Sequence, residues 1–230
     1  MFVTHKVISN TVLNRKFNLI KLITLNPDLF DFKAGQFVTV RINKDTFRSY
    51  SIASSPSTLP YWNIFVDITP GGPGTTYLKA LKKGDQIQTS TASGHFVLET
   101  KYPKYIFGAT GCGIAPFMSI IEDLIKYNDK EIVVIWGLRY HHEIALLSQF
   151  KHFSKANNKF SLNIILSKPE KSWRGKSGRI TPHLIQSAIQ SPHNYPGIYL
   201  SGSSEFIQNA RNKLLKLKVP PNSIHFESCY

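Results

Sequence analysis

Two patterns of apolar and polar residues divide the chain. Up to about Leu98, short runs rich in Val, Ile, Phe and Thr alternate with turn residues. GQFVTVRI (Gly35 to Ile42), YWNIFVDI (Tyr61 to Ile68) and GDQIQTST (Gly84 to Thr91) each read as a strand. Short strands at this spacing predict an antiparallel sandwich or barrel. TTYLKALKK, Thr75 to Lys83, breaks the pattern. Tyr77, Leu78 and Leu81 recur there at helical spacing, and Thr75 or Thr76 is placed to cap the start.

After ETKYPK (Glu99 to Lys104) strands and helices alternate. YIFGAT (Tyr105 to Thr110), EIVVIWGLR (Glu131 to Arg139), SLNIILSK (Ser161 to Lys168) and PGIYLSG (Pro196 to Gly202) read as buried strands. APFMSIIEDLIKYN (from Ala115), LLSQFKHFSK (from Leu146), GRITPHLIQSAIQ (from Gly178) and SSEFIQNARNKLLKLK (from Ser203) read as helices. Ser203 or Ser204 would cap the last of them, and IHFESCY would add a final strand. Apolar strands flanked by helices predict a parallel, doubly wound sheet. The expected fold class is therefore an N-terminal antiparallel sandwich or barrel followed by an α/β domain with a doubly wound parallel sheet. The expected domains are residues 1–99 and 100–230, with no internal repeat.

Composition narrows the class. The 230 residues are 42% hydrophobic, and no apolar run approaches the ~20 residues of a membrane-spanning helix. MFVTHKVISN lacks a basic segment followed by a long apolar one, so no secretory leader is expected. Two cysteines, Cys112 and Cys229, cannot form a zinc or iron–sulfur site by themselves. The expected compartment is a reducing cytoplasm. Net charge is +14, from 28 basic and 14 acidic residues. Such a field attracts an acidic partner: nucleic acid, an anionic membrane or an acidic protein. The basic residues are scattered and form no nucleic-acid motif, which argues against the first. A Lys-rich surface that only maintains solubility is the plain alternative.

Three stretches carry candidate chemistry. GATGCGIAPF, Gly108 to Phe117, lies between a strand and a helix, where open α/β sheets bind ligands. Its glycines let backbone approach a phosphate, or simply let a helix pack on a strand. PGGPGTTYL, Pro70 to Leu78, places three glycines before a helix start that would favour an anion; a hairpin loop with a capped helix explains it equally. RSYS, Arg48 to Ser51, combines a forked cation suited to a diphosphate, a ring for stacking and a hydroxyl; a tight turn at the end of a strand is the plain alternative. Together these suit a dinucleotide bearing a large planar ring. His141-His142-Glu143 falls in a surface loop and is not read as a metal site; His95 falls in a barrel loop; Trp62 and Trp136 read as core.

With these motifs in order, the chain resembles the ferredoxin–NADP reductase family of flavoproteins. RSYSIASSP resembles its R-x-Y-[ST] flavin motif. PGGPGTTYLKALKKGDQI resembles its second flavin segment. GATGCGIAPF resembles its nicotinamide-nucleotide motif, and YLSGSSEFIQNARNKL its C-G-x-x-x-[ML] segment. The resemblance spans nearly the whole chain and implies that the N-terminal half is an antiparallel β-barrel for FAD, followed by a doubly wound nucleotide-binding domain. It implies that Arg48 binds the FAD diphosphate, Tyr50 stacks on the isoalloxazine and Ser51 bonds near its reactive nitrogen. Ser49, Val66, Gly72, Gly74, Thr75 and Thr76 would complete the FAD site. Thr110, Gly111, Cys112, Ala115, Pro116, Arg139 and Gly202 would border the nicotinamide nucleotide. Ser51, Ser201, Glu227 and Tyr230 would form the catalytic group, with Tyr230 covering the flavin and moving aside. Ser201 stands where the family has cysteine, and Glu227 lies three residues before the end where two are expected. Ser167, Lys168, Arg174, Lys176 and Arg179, in the loop after the third strand, would hold a ribose phosphate, favouring NADPH over NADH, or form only a solvated basic loop. The implied protein is a monomeric, cytoplasmic NADPH oxidoreductase that reduces an acidic carrier, ferredoxin or flavodoxin. The alternatives are an NADH-dependent oxygenase reductase, a flavin reductase, or a binding subunit that has lost hydride transfer. No nucleic acid, integral membrane segment or metal is implied.

Overall fold

The computed structural model describes residues 2–127, 129–189 and 195–228. The chain forms two compact units. One comprises Met1–Leu98 with Ala115–Asp123, the other Glu99–Ile114 with Leu124–Tyr230.

The first unit is a six-stranded antiparallel sheet. Its strands are β1 (Phe2–Val12), β2 (Phe17–Thr24), β3 (Phe37–Arg41), β4 (Phe47–Ser51), β5 (Tyr61–Asp67) and β6 (Gln86–Ser90). They lie in the order β4-β3-β6-β1-β2-β5. A bridge between Ile52, just after β4, and Ile64 of β5 joins the two edges and closes the barrel. Closure removes the exposed edges an open sheet would leave. Inward residues alternate along the strands, and Val3, Val7, Ile20, Leu22, Val38, Val40, Trp62 and Ile64 form the core. Helix α1 (Pro73–Ala80) buries Leu78 against that core.

Helix α2 (Ala115–Leu124) groups with this unit, except for its last residue. Gly35 makes room for it: at φ +100° it packs so closely that a Cβ would overlap the Phe96 carbonyl and reach 3.0 Å from Ile120. Phe117 packs on Phe96 at 5.9 Å between ring centroids.

The second unit is an all-parallel sheet. Its strands are β7 (Lys104–Thr110), β8 (Glu131–Leu138), β9 (Phe160–Leu166), β10 (Lys176–Ser177), β11 (Gly197–Gly202) and β12 (Ile224–Ser228). Their order is β10-β9-β8-β7-β11-β12. The chain builds outward from β7 in one direction, then returns to β7's other side. The order therefore reverses between β7 and β11, and such a reversal opens a crevice at the carboxyl ends of the strands. Helices α3 (Leu147–Ala156), α4 (Pro182–Ser187) and α5 (Ser204–Lys216) complete the unit. A core of Ile106, Ile135, Ile165, Ile185, Ile198, Leu200, Ile207 and Leu214 joins sheet to helices. Among the described residues no helix is long and apolar enough to cross a membrane.

Candidate functional site

In the first unit, two stretches distant in sequence meet. β4 pairs with β3 so that Arg48 faces Val40 and Tyr50 faces Val38. Alternation then puts Arg48 and Tyr50 on one face and Ser49 and Ser51 on the other. Gly74, in the first turn of α1, lies directly against this pair. A Cβ there would overlap the Tyr50 hydroxyl and come 2.9 Å from Arg48 Cγ. Only glycine lets the helix start sit on the Arg-Tyr face. Arg48 is exposed and its guanidinium donates to the Phe47 carbonyl at 2.8 Å.

The start of α1 differs from the sequence expectation. Its N-cap is Gly72, Pro73 occupies the first turn, and no side chain caps it. Pro fits there because that position has no N–H to satisfy within the helix. Thr75 and Thr76 are therefore first-turn residues, not caps. Their hydroxyls bond back to the Gly72 and Gly71 carbonyls at 3.0 and 3.4 Å. A helix start without a side-chain cap, beside an exposed arginine, fits a diphosphate group. Val66 is only 2% exposed and belongs to the barrel core. Its side chain is packed in that core and not open to a ligand, contrary to the sequence expectation.

In the second unit the crevice is built from two strand ends. Thr110 closes β7, and Gly111–Ile114 follow as a short turn with Gly111 at φ +54°. Gly202 closes β11 at φ +140°, where a Cβ would overlap Thr110 Oγ1. The Ser203 N–H donates to that same oxygen at 3.1 Å. Gly113 is wedged below: a Cβ would lie 2.6 Å from the Ser201 carbonyl carbon and 2.7 Å from Gly202 Cα. The two segments thus form one interlocked edge. Ser201 is fully buried and sits opposite Glu227 in the β11–β12 register. Cys112 is partly buried in the turn, and Ala115 and Pro116, at the start of α2, are buried. Tyr230 and Cys229 lie outside the described residues.

The basic residues of the crevice rim divide into two groups. Lys176 Nζ donates to Asn163 Oδ1 at 2.9 Å, and Arg179 pairs with Glu205 at 3.4 Å. Ser167 and Lys168 are exposed where β9 ends, their N–H groups bonded to the carbonyls of Leu138 and Arg139. Arg174 is exposed and bonds the Lys171 carbonyl at 3.3 Å. The Arg139 guanidinium lies over the Tyr140 ring at 5.6 Å. Glu143 is buried and accepts from the Arg139 N–H at 2.8 Å, so it shapes the end of β8.

Comparison with known proteins decides the family. Residues 4–98 match the oxidoreductase FAD-binding domain, and residues 107–212 match the oxidoreductase NAD-binding domain. The chain belongs to the ferredoxin reductase-like flavoproteins. It is 26% identical over 208 residues to "Ferredoxin--NADP reductase B" of Sorangium cellulosum, covering 86% of this chain and 85% of that protein. It is 28% identical over 152 residues to "NADH-cytochrome b5 reductase 2" of Mycosarcoma maydis, covering 65% of this chain and 43% of that protein. Its fold is shared with a ferredoxin NADP+ reductase from Neisseria gonorrhoeae solved with FAD and NADP, with a TM-score of 0.86 at 19% identity over 100% of this chain and 99% of that one. This flavoprotein is accordingly an oxidoreductase with an FAD-binding and a nicotinamide-nucleotide-binding domain.

Three features of the flavoprotein escape a reading of its motifs. Ser55, fully buried, ties the loop after β4 to α2: its N–H donates to Glu122 at 2.7 Å and its hydroxyl to Asp123 at 2.6 Å. At the start of the second unit, the Glu99 N–H donates to the Tyr199 hydroxyl at 3.0 Å and the Tyr105 hydroxyl donates to the Glu99 carbonyl at 2.8 Å. Burial raises both phenols, Tyr105 to about 12, so both stay protonated at neutral pH. Finally, Trp136 is core, as expected, but its indole N–H also donates to the Gly111 carbonyl at 2.9 Å.

Proposed function

We propose that the chain oxidises NADPH and passes the electrons to a separate acidic carrier protein such as ferredoxin or flavodoxin. One observation carries the flavin half of this reading: the close approach of Gly74 to Tyr50 and Arg48. It unites the two flavin-type motifs in one cradle. In this reading residues 1–99 hold FAD and residues 100–230 hold the nucleotide. When bound, the flavin supplies the exchange between two-electron and one-electron transfer.

The protein's residues bind and orient. Arg48 and the uncapped α1 start hold the FAD diphosphate, with Thr75 and Thr76 beside it. Tyr50 offers its ring for stacking and Ser51 a hydrogen bond. Thr110, Gly111 and Gly202 form the edge that receives the nucleotide diphosphate. Lys168 and Arg174, exposed at the rim, attract a ribose phosphate. Glu227 stands at the end of β12 beside Ser201 of β11, which is fully buried within that edge. An NADH-dependent reductase is the second reading. It is favoured by Lys176 and Arg179 already having Asn163 and Glu205 as partners.

Anaerobic mixing of the purified yellow protein with NADPH, and separately with NADH, tests this. Faster bleaching of the visible flavin band by NADPH is expected. Faster bleaching by NADH overturns the nucleotide assignment and favours an oxygenase reductase. A flavin that neither nucleotide bleaches overturns the enzyme and leaves a binding subunit.

A further inference from the structure

We propose that Trp136 is a positioning residue for nucleotide binding and acts through the carbonyl of Gly111. The inference rests on the reading that the turn after β7 receives the nucleotide diphosphate. Trp136 sits in β8 opposite Ala109 of β7 and is fully buried. A buried indole N–H needs an acceptor. Here a main-chain oxygen of the turn takes that role, at 2.9 Å.

The choice of oxygen matters because of where it lies. Gly111 is at φ +54°, in the left-handed region. Glycine has the widest backbone freedom, so an unheld peptide at this point turns easily. A trans peptide is planar, with its C=O and N–H opposed. Fixing the Gly111 oxygen therefore fixes the direction of the Cys112 N–H as well. The rest of the turn is held by main chain and by the Thr110 hydroxyl. Thr110 Oγ1 accepts from the Ser203 N–H, and Gly113 packs on the Ser201–Gly202 backbone. Trp136 adds an attachment from the neighbouring strand.

Without the indole N–H the Gly111 peptide keeps its place in the short 3-10 turn but loses its tie to β8, and it samples other orientations more often. A site that is competent only part of the time binds more weakly by the competent fraction. Binding weakens while the bound geometry is retained. Trp136→Phe keeps most of the ring and removes the donor. Phe150→Leu is the packing control, since Phe150 touches Trp136 at 5.8 Å between centroids.

Titrate each holoprotein with NADP+ and read Kd from the flavin difference spectrum, with Tm alongside. For Trp136→Phe, Kd should rise about tenfold, the worth of one buried hydrogen bond. Its flavin reduction rate at saturating NADPH should stay within about twofold of wild type. Phe150→Leu should lower Tm and leave Kd unchanged. A lowered Tm with unchanged Kd in Trp136→Phe overturns the inference. So does a Kd raised equally in both variants. Should Trp136→Phe fail to fold, 15N-tryptophan labelling of the wild type gives the same decision. The Trp136 indole signal should shift on NADP+ addition by more than that of Trp62; a smaller or equal shift overturns the inference. If wild type itself shows neither an NADP+ nor an NAD+ difference spectrum, the underlying nucleotide reading fails instead.

Discussion

The imidazole of His5 lies wholly inside the barrel, between Thr24, Thr89 and Trp62. Its Nδ1 accepts from the Trp62 indole at 3.3 Å and lies 3.1 Å from Thr24 Oγ1. Its Nε2 lies 2.9 Å from Thr89 Oγ1, and that hydroxyl donates its own proton to the Ser90 carbonyl. The network closes only for a neutral ring with its proton on Nε2. A second proton, on Nδ1, would face the Trp62 N–H. Burial accordingly lowers the His5 pKa from 6.5 to about 4. An unfolded chain binds this proton below pH 6.5, whereas the folded chain refuses it until about pH 4. Stability is therefore lost as pH falls through that window, by about 3 kcal/mol in all. Urea unfolding of wild type and His5→Gln at pH 7, 5 and 4 checks this. Wild type should lose stability more steeply than the variant between pH 6.5 and 4; parallel curves would refute it.

At the scale of elements, the crevice depends on strand ends approaching without side chains between them. Gly113→Ala places a methyl against the Ser201–Gly202 main chain, which has no rotamer to yield. The β7 and β11 ends must separate. A loss of about 1–3 kcal/mol, typical of overpacking, is expected. Nucleotide binding should weaken in the same variant while flavin content holds. Thermal melts and the NADP+ difference spectrum read both effects, and an unchanged Kd would show that the edge is not the nucleotide site. The sequence made β7, β8, β9 and β11 legible because each is dominated by apolar residues, although Ser161 and Asn163 interrupt β9. It made β4 hard to see. FRSYS is a strand of exposed and half-buried residues, and its polar letters read as a turn. β1 and β2 carry buried His5, Asn18 and Thr24 among their inward positions, which blurs the alternation. The helix expected from Gly178 begins at Pro182, with Thr181 as its cap, because proline fits only the first turn. Motif letters singled out the residues that the structure brings into close approach, Arg48 and Tyr50 with Gly74, and Thr110 with Gly202. The ties behind them, Ser55 to α2 and Trp136 to Gly111, come from tertiary contacts between residues 67 or 68 and 25 positions apart. No local pattern encodes them.

Across the whole molecule, the excess positive charge is uneven. Seventeen of the 28 Lys and Arg lie in the second unit, with only seven of the 14 acidic residues, so that unit carries net +10 and the first +4. Steering of an acidic carrier would come mainly from the nucleotide-binding unit, where α5 alone contributes Arg211, Lys213 and Lys216. NADPH is itself an anion, so the carrier's share is isolated only at saturating NADPH. Under that condition turnover with an acidic carrier should fall about tenfold as salt shortens the screening length from ~30 Å at 0.01 M to ~8 Å at 0.15 M. Riboflavin as acceptor is neutral and should show little change. Charge reversal in the double variant Lys213→Glu/Lys216→Glu should flatten the carrier's salt dependence without altering riboflavin turnover. Equal salt dependence for carrier and riboflavin would remove the acidic-carrier reading and leave a small-molecule acceptor for the same flavoprotein.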